Sequence, residues 1–394
     1  MNAFELLLAL EDEEKKRMGV EHTPGEIAQQ PRVWLEALDI LRQERGRILA
    51  FMNQAGMAGA KTATVFLSGA GSSEYVGNCL ANTLRVRLQR EVLSVPSTDF
   101  VTHAESFLLA STPYALVSFA RSGDSPESLA TSRLLSRLSP QTCQLAVTCN
   151  RAGALAKVVG GTERGFNLFL PEKTNDKSLV MTSAFSTLAL VGLGLGFLHD
   201  FDRLESSTAR AARAAERVLG HYGDGIREFA NKSFSRACYL GTACLYGTME
   251  ECRLKMLEMS NGMVSASAHS YLGLRHGPQV FVDRDCVVVA AVSTDPHRRR
   301  YEVDLLRELR DKRQGKGFLL ICDRAGPELR TIADMCVELS SGEEVLEDEF
   351  RVLTDVVVGQ VLATFKSLAL GLKPDSPCEA GTISRVVQGV KIYE

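Results

Sequence analysis

Short apolar runs, each stopped by glycine or serine and followed by apolar positions at helical spacing, recur along this chain. Runs of this kind without polar alternation belong to strands buried on both faces, and they predict parallel sheets covered by helices. Thr64-Val65-Phe66-Leu67 leads into Ser68-Gly69-Ala70-Gly71-Ser72-Ser73, and Ala115-Leu116-Val117-Ser118-Phe119-Ala120 leads into Arg121-Ser122-Gly123-Asp124-Ser125. A third strand closes at Cys149-Asn150-Arg151-Ala152-Gly153. The same landmarks return in order. They are Ala237-Cys238-Tyr239-Leu240 before Gly241-Thr242-Ala243, Val287-Val288-Val289-Ala290-Ala291-Val292 before Ser293-Thr294-Asp295-Pro296, and Cys322-Asp323-Arg324-Ala325-Gly326. Gly69 and Gly241 are 172 residues apart, Ser122 and Ser293 171, and Cys149 and Cys322 173. Three near-equal offsets define an internal repeat. The expected fold is α/β: two tandem doubly wound parallel sheets, each a flavodoxin-like three-layer α/β/α unit.

Around the repeats the pattern predicts an N-terminal helical region over residues 1–52, with helices over 3–17 and 31–52 separated by a turn at Thr23-Pro24-Gly25. The first repeat covers 53–202, a charged, Ala-rich helical connector 203–230, and the second repeat 231–373. A tail over 374–394 has no periodicity of its own, so it either frays or is pinned across the protein. Residues 178–198 are uncharged and long enough to span a bilayer, but serines and threonines open the stretch and glycines interrupt it. That reads as a buried core or interface helix.

With 45% hydrophobic and 24% charged residues over 394 positions, the chain can bury sizeable cores. Its 45 Lys+Arg against 48 Asp+Glu provide no basic excess for nucleic acid or an anionic membrane, so neither is expected as a partner. The ten cysteines are scattered, without a CxxC pair, and read as thiols of a reducing cytoplasm.

Candidate chemistry falls into two sets. Ligands of open parallel sheets sit at the carboxyl ends of strands, where helix N-termini attract anions. The first-repeat turns suit phosphate: Ser72 and Ser73 offer hydroxyls beside glycines, and Arg121, Ser122 and Ser125 add a cation and two more hydroxyls. Either turn alone is also an ordinary strand-to-helix turn; the pairing favours an anion, with Arg121 near the entrance. Neither GxGxxG nor a P-loop lysine is present, and the counterpart Gly241-Thr242-Ala243-Cys244 has lost most of its hydroxyls. In the second repeat, Glu251, Lys255 and Glu258 share a helix face, which alone most simply reads as a solvated stripe of ion pairs. His276, in Leu274-Arg275-His276-Gly277-Pro278, is an acid/base candidate in a Gly-Pro-framed loop. No spacing of His, Cys or carboxylates marks a metal site.

Several segments together resemble a known family: Glu26-Ile27-Ala28-Gln29-Gln30-Pro31, the two serine turns, Glu172-Lys173-Thr174-Asn175-Asp176-Lys177-Ser178 with Met181-Thr182-Ser183, the His276 loop, and the tail Arg385-Val386-Val387-Gln388-Gly389-Val390. The chain resembles the sugar isomerase (SIS) proteins with two tandem domains, and within them the AgaS-type galactosamine-6-phosphate deaminase/isomerases, also called tagatose-6-phosphate ketose/aldose isomerases. The resemblance implies a phosphorylated amino sugar as substrate, phosphate binding by Ser73, Arg121, Ser122 and Ser125, carbon-to-carbon proton transfer by Glu258, and ring opening by His276. It places Lys255 near the sugar and Thr182 and Ser183 in a loop closing over it. In the related aminotransferases a tail lysine forms a Schiff base; the matching position here is Gln388, which fits a substrate already carrying nitrogen on carbon 2. Lys391 lies three residues beyond. No cofactor is required, and a homodimer or higher homo-oligomer is implied because the histidine of such enzymes reaches a neighbouring subunit's pocket. Competing readings are a non-deaminating aldose-ketose isomerase and a noncatalytic sugar-phosphate sensor. The acidic first helix lacks the basic recognition face that a DNA-binding sensor would carry.

Overall fold

Each repeat builds a five-stranded parallel sheet. In this computed structural model, which describes residues 1–342, 344–387 and 389–393, the first sheet consists of β1 (Thr64–Ser68), β2 (Val92–Ser94), β3 (Tyr114–Ala120), β4 (Cys143–Thr148) and β5 (Gly165–Phe169), in spatial order β2-β1-β3-β4-β5. The second consists of β6 (Arg236–Gly241), β7 (Ser265–Ser270), β8 (Cys286–Ala291), β9 (Gly317–Cys322) and β10 (Met335–Glu338), in order β10-β9-β8-β6-β7. Read from the other edge, that order repeats the first sheet strand for strand. All pairings are parallel. The two sheets are the tandem doubly wound units expected from the repeat, with helices joining successive strands.

The central strands carry the apolar runs. Every residue of β3, β4, β8 and β9 is buried, as a strand covered on both faces demands. Edge strands obey a weaker rule. β2 is three residues long, and β7, Ser-Ala-Ser-Ala-His-Ser, is only partly covered.

The chain forms two compact units, neither continuous in sequence. The first-sheet unit contains Arg32–Asp176, Ser183–Thr208 and Ile383–Glu394; the second-sheet unit contains Met1–Pro31, Lys177–Thr182 and Ala209–Thr382. In the first-sheet unit, the helix Ser183–Gly194 is buried along its whole length, and Ser186 accepts a hydrogen bond from the Trp34 indole at 2.9 Å. The uncharged stretch of the sequence is therefore core. Its side chains are consumed within the chain and leave no apolar face for a neighbouring subunit. Among the described residues one helix, Asp348–Ala369, is long and apolar enough to cross a membrane, and 89% of its apolar window is buried inside the protein.

The N-terminal region departs from the expected pair of helices. Residues 3–17 form two helices, Ala3–Leu8 and Asp12–Met18, because Asn2 and Glu5 close a capping box that fixes a short first helix. The expected turn at Thr23-Pro24-Gly25 is itself helical, Thr23–Ala28, since proline is tolerated in a first turn where its missing N–H has no partner to lose. This helix presents buried Glu26 to residues 177 and 178. The carboxylate accepts from the Lys177 amide, the Ser178 amide at 3.3 Å and the Ser178 hydroxyl. Gln30 donates to Gln360 at 2.7 Å, and Gln360 donates in turn to the Thr182 carbonyl at 3.3 Å. Asp375, opening the tail, accepts from the His22 and Thr23 amides at 3.0 and 2.7 Å, while its carbonyl accepts from the Leu179 amide at 3.0 Å.

Glu26 thus holds segment 177–182 through three donors. Glu26→Ala should destabilise the protein by about 1–3 kcal/mol, the usual result of orphaning buried donors, measured as a lower urea midpoint. An unchanged midpoint would show that the segment is held without it.

Candidate active site

In a sheet of order 2-1-3-4-5, the chain runs outward in opposite directions from the first and third strands, leaving a crevice at their carboxyl ends. β1 and β3 are those strands here, paired from Thr64 with Tyr114 to Ser68 with Ser118. Both serine turns leave from this point. The first enters the helix Ser72–Leu88, with Ser72 and Ser73 buried at its start. The second enters the helix Pro126–Leu138, with partly exposed Ser125 at the N-cap position and no capping bond from its side chain. Ser122 is partly exposed, and its hydroxyl accepts from the Asp124 amide at 3.3 Å.

Close packing shapes this first turn as much as any ligand does. A Cβ added to Gly69 would lie 2.5 Å from the Ser73 carbonyl carbon, and one added to Gly241, its counterpart, 2.4 Å from the Leu245 carbonyl oxygen. Both positions require glycine for strand and helix to close. The second turn is braced by the third landmark of the repeat, since Asn150 donates to the Ser122 carbonyl at 2.8 Å and the Ala154 amide to Asp124 at 2.9 Å.

Arg121 differs from expectation. It is buried rather than set at an entrance, and its guanidinium donates to the carbonyl of Arg385 in the tail. Arg385 donates to the Asp176 carbonyl at 2.8 Å and to the Asn175 side chain at 2.7 Å. The Asp176 carboxylate receives the Ser183 hydroxyl and, at 2.9 Å, the Ala184 amide, capping the helix Ser183–Gly194. The tail is therefore pinned, by an arginine that sequence reasoning did not single out. Its partners are main-chain carbonyls and an asparagine, so no charge pairing in the sequence points to it. Thr182, fully buried, is held through its carbonyl by Gln360. Gln388 lies outside the described residues. Lys391 is exposed, its ammonium 4.8 Å from the Tyr393 ring centre.

The helix Cys244–Met259 carries Glu251, Lys255 and Glu258 on one face. Their environment overturns the solvated reading: Glu251 and Lys255 are wholly buried, and the Glu258 side chain is 22% exposed. The Lys255 ammonium lies 3.2 Å from Glu251 and 2.6 Å from Glu258. Spacing alone predicted a shared face but not its cover, which includes the helix Asp348–Ala369. That helix comes close enough for Gly359 to be required, because a Cβ there would lie 2.4 Å from the Cys252 sulfur. Burial works against the charge on Lys255, but the two carboxylates outweigh it and hold the ammonium above the ordinary lysine value. The stability linked to the Lys255 proton is thus fully present below the usual lysine value and is lost as alkaline pH passes the raised one. Lys255 keeps its proton in neutral solution and serves as a fixed cation beside Glu258, the one carboxylate of the three-residue set that reaches solvent.

His276 follows the short helix Tyr271–Leu274 and is exposed. Its neighbour Arg275 pairs with Glu308 at 2.8 Å and Asp304 at 2.9 Å, tying the loop to the helix Pro296–Asp311. A cavity of about 540 Å³ lined by Arg210, Arg217, His221, Ser340 and Glu344 contains none of these candidates.

No protein-family model matches the chain. A Streptomyces coelicolor protein carrying the provisional name D-galactosamine-6-phosphate deaminase AgaS is 36% identical over 378 residues, 94% of this chain and 95% of its own. The Escherichia coli D-galactosamine-6-phosphate deaminase AgaS is 32% identical over 382 residues, with 94% and 95% covered. Among solved structures, a Clostridium novyi protein provisionally named tagatose-6-phosphate ketose/aldose isomerase superposes with a TM-score of 0.92 at 31% identity, over 96% of each chain.

Removing Lys255 leaves two carboxylates facing each other without their cation. Lys255→Met should therefore destabilise the protein by about 3–5 kcal/mol, read from denaturant unfolding. A loss below about 1 kcal/mol would mean that the triad is effectively solvated.

Proposed function

The chain belongs to the AgaS family of D-galactosamine-6-phosphate deaminases, and from that premise we propose that it converts galactosamine 6-phosphate to tagatose 6-phosphate and ammonium. The observation that carries the chemical part of this reading is the buried ammonium of Lys255, 2.6 Å from a carboxylate, Glu258, that is itself open to solvent. A carboxylate oriented by a fixed cation is suited to moving a proton between neighbouring carbons.

In this reading Ser72, Ser73, Arg121, Ser122 and Ser125 hold the phosphate, with Arg121 acting from beneath the turn where the tail fixes it. His276 moves the anomeric hydroxyl proton and opens the ring. Glu258 takes the carbon-2 proton from the open-chain aldehyde, giving an enolamine, and returns it to carbon 1, giving a ketimine on carbon 2. Water adds to the ketimine, and ammonia leaves to yield the ketose. Lys255 neither accepts a proton nor attacks carbon; it orients Glu258. Thr182, Ser183 and Gln388 border the sugar, with the Ser183 hydroxyl set by Asp176. A homo-oligomer is carried over from the family resemblance, in which this histidine reaches a neighbouring subunit's pocket, and the exposure of His276 on its own chain is compatible with that. Ten free thiols, nine of them buried, favour a reducing compartment such as the cytoplasm.

A second reading, aldose-ketose isomerisation without nitrogen loss, is favoured by the isomerase name of the Clostridium novyi structure. The two part on one product. Incubation with galactosamine 6-phosphate, glucosamine 6-phosphate and tagatose 6-phosphate should release ammonium from galactosamine 6-phosphate, and its absence with all amino sugars would favour the second.

Glu258→Gln should lose about 10²–10⁴-fold in turnover while keeping substrate affinity, and should stop carbon-2 exchange with deuterated water. Normal exchange would remove Glu258 from the role. His276→Asn should recover partly on open-chain substrate. Ser122→Ala should weaken substrate binding about tenfold, the loss of one charge-assisted hydrogen bond, and sedimentation should find at least a dimer at assay concentrations.

A further inference from the structure

The second sheet has its own crevice, at the carboxyl ends of β6 and β8, and the turns that leave those strands are Gly241-Thr242-Ala243 and Ser293-Thr294-Asp295. We propose that this second anion cradle is filled by the protein's own carboxylates, Glu302 and Asp348, so that each chain holds one phosphate and not two. The proposal rests on the phosphate reading of the first repeat given above.

The bonding of the second cradle is explicit. The Ser293 amide donates to Glu302 at 2.7 Å, and Thr242 on the other turn lies beside the same carboxylate. Asp348 receives the Ser293 hydroxyl, the Thr294 amide at 2.8 Å and the Thr294 hydroxyl at 2.9 Å. These are the amide and hydroxyl donors that a bound phosphate would use. Both carboxylates are buried, Glu302 at 1% and Asp348 at 6% exposure. The cation of the arrangement is also present: Arg298 lies 3.4 Å and the fully buried Arg351 3.5 Å from Asp348. Arg351 also donates to the carbonyls of Val292 and Ile321, at the ends of β8 and β9, and pairs with Asp355 at 2.7 Å.

The first repeat is neutral at the place of Glu302 but carries its own buried carboxylate, Asp176, at the start of the last helix. Counting the 171-residue offset back from Glu302 falls on Thr131, which donates to the Ser97 carbonyl at 3.1 Å. The long helix that follows the last strand opens on Ser183 in the first repeat and on Asp348 in the second. Glu302 thus stands where the first repeat has a hydroxyl, while Asp348 differs from the first repeat's Asp176 in its donors: Asp176 takes the Ser183 hydroxyl and the Ala184 amide of its own helix, and Asp348 takes the turn residues Ser293 and Thr294. A phosphate entering the second cradle would have to displace two buried carboxylates already bonded to its donors.

Restoring the first repeat's residue tests this. Asp348→Ser should open the second cradle to inorganic phosphate. Equilibrium dialysis should then find one phosphate per chain in the wild type, two in Asp348→Ser, and one again in Asp348→Ser combined with Ser122→Ala at concentrations where Ser122→Ala alone binds little. Phosphate at tenfold over its dissociation constant should also raise the melting temperature of Asp348→Ser by about 2 °C more than that of the wild type. A folded Asp348→Ser that still binds one phosphate, with the double variant Glu302→Thr/Asp348→Ser behaving alike, would overturn the proposal and leave the first-repeat reading standing. A wild type that binds two phosphates would overturn it without recourse to any carboxylate variant. A single wild-type phosphate lost on Thr294→Val and retained on Ser122→Ala would overturn both readings.

Discussion

A parallel strand that turns directly into a helix leaves backbone N–H groups pointing out of the sheet, and buried donors of this kind must find an acceptor. Both halves of this protein inherit that demand at the same place in the same strand order. Phosphate is an acceptor that arrives from outside; a carboxylate is one that the chain can supply itself. The first repeat sets hydroxyls and a buried arginine about its turns, whereas in the second Glu302 accepts from the Ser293 amide and Asp348 from the Thr294 amide. The triad of Glu251, Lys255 and Glu258 lies on the first helix of that second repeat.

That triad illustrates what burial does to a common motif. Ion pairs at helical spacing contribute little on a surface, but with Lys255 sealed between two carboxylates the cation is fixed in place and in charge state. The desolvation of the ammonium is offset only because both partners are present, so the arrangement favours a permanent cation over a titrating base. Glu258 differs from Glu251 by its window to solvent, 22% of its side chain against none.

Much of the fold was legible because central parallel strands must be apolar throughout, which makes β1, β3, β6 and β8 readable as runs and their offsets readable as a repeat. The edge strands were not legible. β7 alternates serine with alanine and histidine, and nothing in such a segment distinguishes a strand from a loop until its neighbour β6 is in place. The shared face of the triad followed from spacing, but its burial depends on a helix about 100 residues later in the sequence. The roles of Glu26 and Arg385 were hidden for a related reason: most of their partners are backbone groups, which every residue carries. Glycine could also mislead. Gly69 and Gly241 are both demanded by strand-helix closure, so glycine marks the tight turn and only the surrounding hydroxyls mark the anion.

The threading of the two units bears on how the chain is made. Asn2 donates to the Leu219 carbonyl, the Ala3 amide to Asp224, and Thr23 to Asp375. The first 31 residues belong to a unit whose remaining parts are nearly all synthesised after residue 208. During translation the N-terminal helices therefore emerge first and wait longest for their partners, while the first sheet can assemble in between. Contacts this distant in sequence are slow to form because the intervening loop must close before they contribute. The contacts between residues 1–31 and the rest of their unit therefore cannot be completed until the parts beyond residue 208 have been synthesised.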